Sequence, residues 1–362
     1  MKSGHMRWTM YDVVIVGSGP AGANLARLIA NQYKVLLIDK RDLGNENPQN
    51  LTNKCCGGLL APDAQKMIAK LGLWLPKDIL VDPQLFAVRA IDLTNHLERR
   101  YQRFYFNMDR EKFDRWLVSL IPADVDKRFN SFFKNSAEIT GGYEVRYVDN
   151  GHETAVKTRI IVGADGANSK VRKSIGEANN IPEKYISIQE WFEYPYHMPY
   201  FTAIFDEEIS DFYSWIIPKE KHVLLGAALN HEANAREKFD ILKTKLVQLG
   251  FSFEHKVKTE GAFIHRPRKA SQFCAGSGGI ALIGEAAGAI SPSSAEGISY
   301  ALKSSLYLAQ CLEEGVDGFM DRYKRKVTDI RLNLLIKNLK SPAMYHPFLR
   351  CLAMKSGLQS IS

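Results

Sequence analysis

The residues of this sequence whose types and spacing could do chemistry include a glycine-rich run at 17–22 and, later, the charged pair Asp39 and Lys40. Residues Gly17-Ser18-Gly19-Pro20-Ala21-Gly22 form a G-x-G-x-x-G motif. In such a motif Gly17 permits a tight turn, Gly19 lets backbone amides approach a pyrophosphate, and Gly22 lets the following helix pack closely. Asp39 can accept hydrogen bonds from both ribose hydroxyl groups, which favours FAD or NAD over a nucleotide with a 2′-phosphate.

Two later stretches repeat the combination of an apolar run, a glycine and an acid. Residues Gly163-Ala164-Asp165-Gly166 follow the run 159–162, and Gly284-Glu285-Ala286-Ala287-Gly288 follow the run 280–283. Each is a strand end at which a carboxylate and backbone amides could contact a nucleotide. We therefore expect all three stretches to contact one cofactor.

Residues Lys54-Cys55-Cys56-Gly57-Gly58 carry the most reactive side chains. Paired glycines forfeit packing but allow close backbone approach, and a cofactor is the obvious group to approach them. A thiol beside a flavin could protonate a substrate carbon, whereas a buried cysteine is as often inert packing. A strained disulfide between Cys55 and Cys56 is a third interpretation, disfavoured in a reducing cytoplasm.

The elements that must position these residues begin with a βαβ unit. Apolar residues 11–16 predict a buried strand, residues 21–31 a compact helix and residues 34–39 a second strand. A hairpin over 86–106 and aromatic-rich runs between 185 and 229 predict a second sheet. Its aromatic face could line an apolar pocket or could be ordinary core packing, and the pattern leaves both open.

The composition excludes several classes of protein. Hydrophobic residues make up 45% and charged residues 24%, and no run of about 18 apolar residues could span a membrane. Five scattered cysteines indicate neither a disulfide framework nor a metal site. No secretory segment precedes the first strand, so we expect a cytoplasmic protein. The net charge of +8 has no accompanying nucleic-acid-binding motif, and nothing indicates an oligomeric state.

The excess positive charge lies near the C-terminus, where nine basic residues face two acidic ones between 321 and 362. The same segment carries Leu332, Leu334, Leu335, Ile336 and Leu339. Basic amphipathic helices of this kind can lie against anionic lipid, although a solvated face of a packed helix has the same pattern. Peripheral contact with the inner face of the membrane is therefore one prediction.

The three glycine-and-acid stretches, in order and spacing, resemble the FAD-contacting motifs of the flavoprotein monooxygenase and geranylgeranyl reductase superfamily. Residues 55–58 resemble the Cys-Gly-Gly segment of the geranylgeranyl reductase branch. Residues 213–219, Tyr-Ser-Trp-Ile-Ile-Pro-Lys, resemble its Tyr-x-Trp-x-Phe-Pro-Lys segment. Within that branch the sequence is most similar to the CbrA-like group, from about residue 11 to residue 312 with the helical tail included.

The resemblance implies an α/β fold in which an FAD-binding Rossmann-like domain of the glutathione-reductase type is interleaved with a substrate domain. The FAD-binding domain would comprise residues 8–82, 103–176 and 265–312. The substrate domain, a mostly antiparallel β-sheet, would comprise residues 83–102 and 177–264. Residues 313–362 would form a C-terminal helical region.

The resemblance also implies roles for individual residues. The implied catalytic residues are Cys55, Cys56, Tyr213 and Trp215. Glu285 departs from the more usual aspartate that binds the ribityl chain, and Ala295 stands where many relatives have glycine. The implied FAD-binding residues are Gly17, Gly19, Pro20, Ala21, Gly22, Asp39, Lys40, Lys54, Cys56, Gly57, Arg110, Asp165, Gly166, Gly284, Glu285, Gly297 and Ile298; no metal ligand is implied.

The implied activity is hydride transfer from reduced FAD to a carbon–carbon double bond of an apolar, isoprenoid-like substrate, with NAD(P)H or another donor as reductant. A flavin-dependent monooxygenase, chiefly a hydroxylase, is the competing enzyme. Residues 213–218 also resemble the Trp-x-Trp-x-Ile-Pro segment of flavin-dependent halogenases, in which Lys54 would be the chemical group. However, Tyr213 replaces the first tryptophan, and Cys-Gly-Gly is not a halogenase feature. A non-enzymatic flavin-binding regulator explains the glycines and acids but not an aromatic pocket.

Overall fold

The predicted βαβ unit forms the centre of the first of two β-sheets. The computed structural model describes residues 10–44, 54–194, 196–231 and 234–361, except for the side chains of residues 178 and 179. Strand β1 (Met10–Val16) leads into helix α1 (Pro20–Ile29) and strand β2 (Val35–Ile38). Strands β1 and β2 are parallel, and both consist mainly of fully buried β-branched or aliphatic residues, as expected for a central parallel sheet.

The first sheet brings the three glycine-and-acid stretches to one edge. Strand β9 (His152–Gly163) lies parallel to β1 on the side away from β2, and β16 (Ile280–Leu282) lies parallel to β9. The carboxyl ends of these four parallel strands therefore share one edge, where ligands bind in open α/β sheets. The sheet is completed by β6 (Asp126–Arg128), β7 (Ser131–Ile139), β8 (Gly142–Asp149) and β15 (Gly276–Ser277).

The second sheet is mostly antiparallel, as predicted. Its strands are, in spatial order, β14 (Lys256–Arg266), β10 (Glu183–Glu193), β13 (His222–Asn230), β12 (Ser214–Lys219), β11 (Tyr200–Phe205), β4 (Leu85–Asp92), β5 (Leu97–Asn107) and β3 (Leu59–Leu60). Of these neighbouring pairs only β4–β11 is parallel. Helix α5 (Ala235–Gln248) covers one face by burying Phe239, Leu242 and Leu246.

Helices fill the remaining positions around the two sheets. Helix α6 (Ile298–Glu313) packs against α1, and a series of shorter helices follows it to the C-terminus. Among the described ranges, no helix is both long enough and apolar enough to cross a membrane. The other helices are α2 (Pro62–Lys70), α3 (Arg110–Ser119), α4 (Lys170–Ser174), α7 (Phe319–Lys326), α8 (Thr328–Lys340), α9 (Pro342–Tyr345) and α10 (Pro347–Lys355).

This architecture confirms the predicted fold class, an α/β FAD-binding fold with a helical C-terminus. The exact segment boundaries remain a prediction, and residues 8, 9 and 362 of those segments lie outside the described ranges. Two strands do cross the predicted division. Strand β5 continues in the second sheet as far as Asn107, beyond the predicted boundary at residue 102, and β3 pairs with β5 although it lies within the predicted first segment.

Candidate active site

A cavity of about 690 Å³ lies where the two sheets meet, and residues from both of them line it. One end is formed by Gly19, which precedes α1, and by Pro20 and Ala21, the first residues of α1. The other end is lined by apolar and aromatic residues of the second sheet and by residues of α8 to α10. The cavity thus joins a glycine-rich turn to an apolar chamber.

The turn at residues 17–22 is shaped to receive a pyrophosphate. Gly17 has φ of +104°, and a Cβ atom there would lie 2.4 Å from the Ala164 carbonyl oxygen. A Cβ on Gly22 would lie 1.8 Å from the Gly17 carbonyl oxygen, so these two positions require glycine for packing. Among the described residues, the nearest atom to a Cβ on Gly19 would be an Arg41 nitrogen at 4.0 Å, and no side chain caps α1. The free amides of the first helical turn can therefore bind phosphate.

Asp39 lies at the end of β2, but its carboxylate already has several partners within the chain. It accepts hydrogen bonds from the Ser18 amide at 2.6 Å and the Ser18 hydroxyl at 2.7 Å. It also accepts from the Arg41 amide at 2.8 Å and pairs with the Arg41 guanidinium at 3.2 Å. Burial alone would raise the pKa of Asp39, but Arg41 and Ser18 outweigh it and hold that pKa below its usual value. The predicted ribose contact of Asp39 remains a prediction.

Arg110 connects this acid to the cysteine loop through a buried chain of charges. The Arg41 guanidinium donates to Asp114 at 2.7 Å, and Asp114 accepts from Arg110 Nε at 2.9 Å. A second Arg110 nitrogen lies 3.4 Å from Cys56 Sγ. Burial by itself disfavours the charge on Arg110, but Asp114 and Cys56 more than offset it. Arg41 and Asp114 were not singled out from the sequence.

Hydrogen bonds from the Gly58 amide and from Lys219 hold the loop that carries Cys56. The Gly58 amide donates to Cys56 Sγ at 3.4 Å, and Lys219 Nζ donates to the carbonyl oxygens of Met108 at 2.9 Å and Gly58 at 3.2 Å. Burial lowers the pKa of Lys219 to about 7. A Cβ on Gly57 would lie 2.6 Å from Ile217 Cδ1, so this glycine allows the loop to pack against β12. Lys219 is the last residue of the 213–219 segment, but its hydrogen bonds to the backbone of this loop were not predicted.

The two adjacent cysteines are free thiols with opposite properties. Burial raises the pKa of Cys55 to about 12, and its thiol lies 3.7 Å from the Ser187 hydroxyl. Burial also disfavours the Cys56 thiolate, but Arg110, the Gly58 amide and Lys54 together bring the pKa of Cys56 below its usual value. When the surroundings move the pKa values of two neighbouring groups in opposite directions, the two groups usually have different chemical roles. Cys56 is thus the more acidic thiol.

The third glycine-and-acid stretch also reaches the cavity. Glu285 lies in its wall, accepts a hydrogen bond from the His265 amide at 3.2 Å and lies 3.9 Å from Lys54 Nζ. Gly297 and Ile298, at the start of α6, line the same wall. Glu285 can therefore offer an acceptor to a polar chain such as ribityl.

Asp165 is placed differently from Glu285. Its carboxylate accepts from the Ser169 hydroxyl at 2.5 Å and from the Lys170 amide at 2.7 Å, so it organises the start of α4. Its neighbours Ala164 and Gly166, rather than Asp165 itself, line the cavity.

The aromatic face of the second sheet lines the cavity, which answers the question that the sequence pattern left open. Tyr213, directly before β12, and Trp215 of β12 contribute to this wall, together with Phe201 and Phe205 of β11. The Tyr213 hydroxyl donates to the Ser294 carbonyl at 2.7 Å, and burial raises the pKa of this phenol. Tyr213 therefore remains a neutral donor that holds the 291–297 loop against the cavity.

A small polar group interrupts this apolar wall. Glu296 accepts hydrogen bonds from Arg103 at 3.0 Å and from the Tyr105 hydroxyl at 3.1 Å, and all three side chains line the cavity. None of the three was predicted as a site residue, although Glu296 stands directly between the quoted Ala295 and Gly297. The chamber can therefore accommodate a mainly apolar molecule with a polar group.

The structure brings most of the predicted site residues to one cavity. Among the described residues, no cluster of His, Cys, Asp and Glu is arranged to hold a metal ion. The predicted residues that line the cavity are Gly19, Pro20, Ala21, Lys54, Cys55, Cys56, Gly57, Arg110, Gly166, Tyr213, Trp215, Glu285, Gly297 and Ile298. Those that lie behind its wall or away from it are Gly17, Gly22, Asp39, Lys40, Asp165 and Gly284.

Comparison with known proteins agrees with this geometry. Residues 121–332 match the family model described as an FAD binding domain. Protein CbrA of Escherichia coli O6:H1 is 39% identical over 351 residues, which cover 97% of this chain and 94% of that protein. These two matches establish FAD as the cofactor and confirm the resemblance to the CbrA-like group.

Solved structures support the same fold at much lower sequence identity. A geranylgeranyl bacteriochlorophyll reductase-like protein from Thermoplasma acidophilum aligns with a TM-score of 0.78 and 18% identity, covering 94% of this chain and 97% of its own. PqsL, a probable FAD-dependent monooxygenase from Pseudomonas aeruginosa, aligns with a TM-score of 0.70 and 16% identity, covering 94% and 98%. At such identities these likenesses concern the fold alone. The chain therefore belongs to the FAD-binding-domain family of oxidoreductase-type flavoproteins and, within it, to the CbrA proteins.

Proposed function

We propose that this flavoprotein is a reductase that transfers hydride from reduced FAD to a carbon–carbon double bond of an apolar, isoprenoid-like molecule. The observation that supports it most is the continuity of the cavity. Its wall runs from the phosphate-binding turn, past Cys56, to an aromatic chamber closed by α9 and α10. Such a chamber suits a long apolar molecule whose reacting carbon must reach the flavin.

The residues of this chain would do three things in that reaction. FAD, when bound, supplies the hydride chemistry. The turn at 17–22 holds the pyrophosphate, and the apolar wall orients the alkene and excludes water. Because Cys56 is the more acidic of the two cavity thiols, it is the candidate to protonate the second alkene carbon. The thiolate left by that transfer would regain its proton from solvent, so hydride and proton together saturate one double bond.

An anaerobic single-turnover experiment tests the reductase proposal. The holoenzyme is reduced without oxygen, first with NADH or NADPH to identify the donor and otherwise with dithionite, and is then mixed with geranylgeraniol. A reductase should return to the oxidised flavin spectrum in the absence of oxygen and release a product heavier by two hydrogens. If no polyprenyl alcohol or diphosphate reoxidises the flavin, the proposal is wrong.

The same experiment separates the alternatives. A monooxygenase would leave the flavin reduced until oxygen is admitted, and would then place labelled oxygen in the product. A halogenase would also require halide and oxygen, with Lys54 as the group beside the cavity; Tyr213 in place of the first tryptophan argues against this candidate. A flavin-binding regulator would show no substrate-dependent change under either condition.

The predicted role of Asp39 can be tested through FAD affinity. Asp39→Ala should weaken FAD binding by about 1.5–3 kcal/mol, the usual contribution of a hydrogen bond to a charged group. The reason is the loss of the ribose acceptor and of the anchor that orients Arg41 beside the turn. Titration of apoprotein with FAD, followed by fluorescence quenching, measures the change.

Asp124→Ala is the matched control for this measurement, because it makes the same chemical change at an exposed residue that lies away from the cavity. Its FAD affinity should equal that of the wild type. Equal affinities for Asp39→Ala and wild type would show that Asp39 supports only the local turn.

A further inference from the structure

The C-terminal helices carry a concentration of exposed apolar side chains. Of the nineteen large apolar residues that are exposed in the described part of the chain, ten lie between 332 and 361. We call these ten residues the C-terminal apolar face: Leu332, Leu335, Ile336, Leu339, Met344, Phe348, Leu349, Leu352, Leu358 and Ile361. Leu334, which the sequence placed in the same group, is buried and anchors α8 to the core. Four of these ten residues, at positions 332, 335, 336 and 339, have the spacing of one face of α8, and such a concentration of exposed apolar residues indicates an interaction surface.

The charge on the same segment indicates the kind of partner. Between residues 332 and 361 there are four basic residues and no acidic one, although Arg350 among them is buried against Asp92. Lys340 and Lys355 are exposed at the ends of α8 and α10, directly among the apolar residues. Apolar side chains combined with flanking lysines are the features by which a protein surface binds an anionic bilayer. A second copy of this chain would bring the same positive charges together, which disfavours self-association through this face.

The helices that carry this face also form a wall of the cavity. Met344 of α9 and Arg350 and Met354 of α10 line the cavity, while Phe348 and Leu352 of α10 are 64% and 52% exposed. One short helix therefore separates the apolar chamber from the outside. Apart from Arg350, whose charge is paired with Asp92, the side chains named on both sides of this wall are apolar. An apolar molecule that left a bilayer beside α10 would therefore meet apolar side chains on its way to the chamber.

We propose that the C-terminal apolar face docks on an anionic lipid bilayer and that the substrate is drawn from that bilayer past α9 and α10. The part concerning the substrate rests on the proposed reductase function. The part concerning the bilayer rests only on the exposed residues and their charge.

The test is co-sedimentation of the holoenzyme with vesicles of phosphatidylcholine alone or with phosphatidylglycerol. Wild type should bind the anionic vesicles at low salt and dissociate at high salt, because exposed charge pairs are screened. Leu339→Ser combined with Phe348→Ser, which alters residues 73% and 64% exposed, should reduce partitioning at least tenfold. Because both side chains are exposed, the FAD content and unfolding temperature of this variant should match the wild type.

Trp74→Ser combined with Phe86→Ser is the matched control, since these residues are 75% and 65% exposed elsewhere on the surface. This control should bind vesicles like the wild type. Equal recovery with neutral and anionic vesicles, or equal binding by the two double variants, overturns the proposal. The proposal is also overturned if the wild type forms a concentration-dependent dimer and the Leu339 and Phe348 changes abolish that dimer but leave vesicle binding unchanged. No substrate is needed, so a failure here is distinct from a failure of the reductase test.

Discussion

Replacing Arg350 with methionine should lower the free energy of unfolding by about 3–5 kcal/mol, the usual cost of leaving one partner of a buried ion pair uncompensated. Two Arg350 nitrogens donate to the two oxygens of Asp92 at 2.7 and 3.0 Å, and Asp92 is 0% exposed. Arg350 also donates to the Met344 carbonyl at 3.1 Å, so its loss leaves several buried acceptors with fewer donors. The shift of the denaturant midpoint of the holoprotein measures the effect.

The destabilisation caused by Arg350→Met should depend on pH in a definite direction. Burial alone raises the pKa of Asp92, but hydrogen bonds from Arg350 and Asn95 outweigh it and hold the pKa below its usual value. A carboxyl with a lowered folded-state pKa contributes stability above its unfolded-state pKa and loses it as the pH falls through the folded-state pKa. The Arg350→Met deficit should therefore be largest at neutral pH and should shrink in acid, where Asp92 can take up a proton.

Two controls identify the cause of this destabilisation. Arg146→Met removes an arginine that is 64% exposed and pairs with Glu144, and it should cost at most about 1 kcal/mol. Arg350→Met combined with Asp92→Asn removes both charges and should cost less than the sum of the single changes. If Arg350→Met behaves like Arg146→Met, the pair does not fasten α10 to the second sheet.

The features that could be predicted from the sequence are those that local chain geometry requires. Gly17 must adopt a positive φ, and Gly22 must allow the helix to approach the preceding turn, so both constraints appear as glycines at a fixed spacing. The apolar runs before Gly163 and Gly284 likewise indicate buried strands directly. For these reasons the motif edge of the first sheet and the FAD cofactor could be predicted together.

The contacts that hold the site together could not be predicted in this way, because they join distant parts of the chain. Lys219 fastens the backbone at Met108, 111 residues away, and Arg350 pairs with Asp92 over 258 residues. No periodicity in the sequence specifies which buried arginine or lysine meets which acceptor. The pairing of β3 with β5 has the same cause, since strand register across a sheet depends on tertiary packing.

The C-terminal segment has one feature that could be predicted from the sequence and one that could not. Its amphipathic pattern indicated a surface with mixed apolar and basic residues, and Leu332, Leu335, Ile336 and Leu339 are exposed. The inner side of the segment closes the cavity through Arg350 and Met354. The sequence pattern did not distinguish these two residues from the other basic and apolar residues of the segment. Helix α10 has nine residues, and a helix this short has little stability on its own. Its position therefore depends on these buried contacts.

Replacing Cys56 with serine should slow alkene-dependent reoxidation of the reduced enzyme by about 10²-fold, the usual scale for losing one acid–base group. FAD content and the rate of flavin reduction should stay close to wild type, because serine retains a polar group beside Arg110 and the Gly58 amide. Anaerobic stopped-flow measurement of the substrate half-reaction gives this rate separately from reduction.

Cys55→Ser is the matched control, because it makes the same chemical change one residue away. Burial raises the pKa of Cys55 to about 12, so its thiol is a poor proton donor and its loss should alter the half-reaction little. In wild type the half-reaction should slow as the pH rises through the pKa of Cys56, which lies below the usual thiol value. That pH limb should vanish in Cys56→Ser and persist in Cys55→Ser.

Alkylation gives a test of the two thiols that needs no substrate. Only the thiolate reacts, so at neutral pH iodoacetamide should label the Cys56 that remains in Cys55→Ser faster than the Cys55 that remains in Cys56→Ser. The comparison uses FAD-free protein, because both residues line the cavity. Equal labelling rates, together with an unchanged half-reaction in Cys56→Ser, would make Cys56 a packing residue and would leave the proton to come from water or another donor in the chamber.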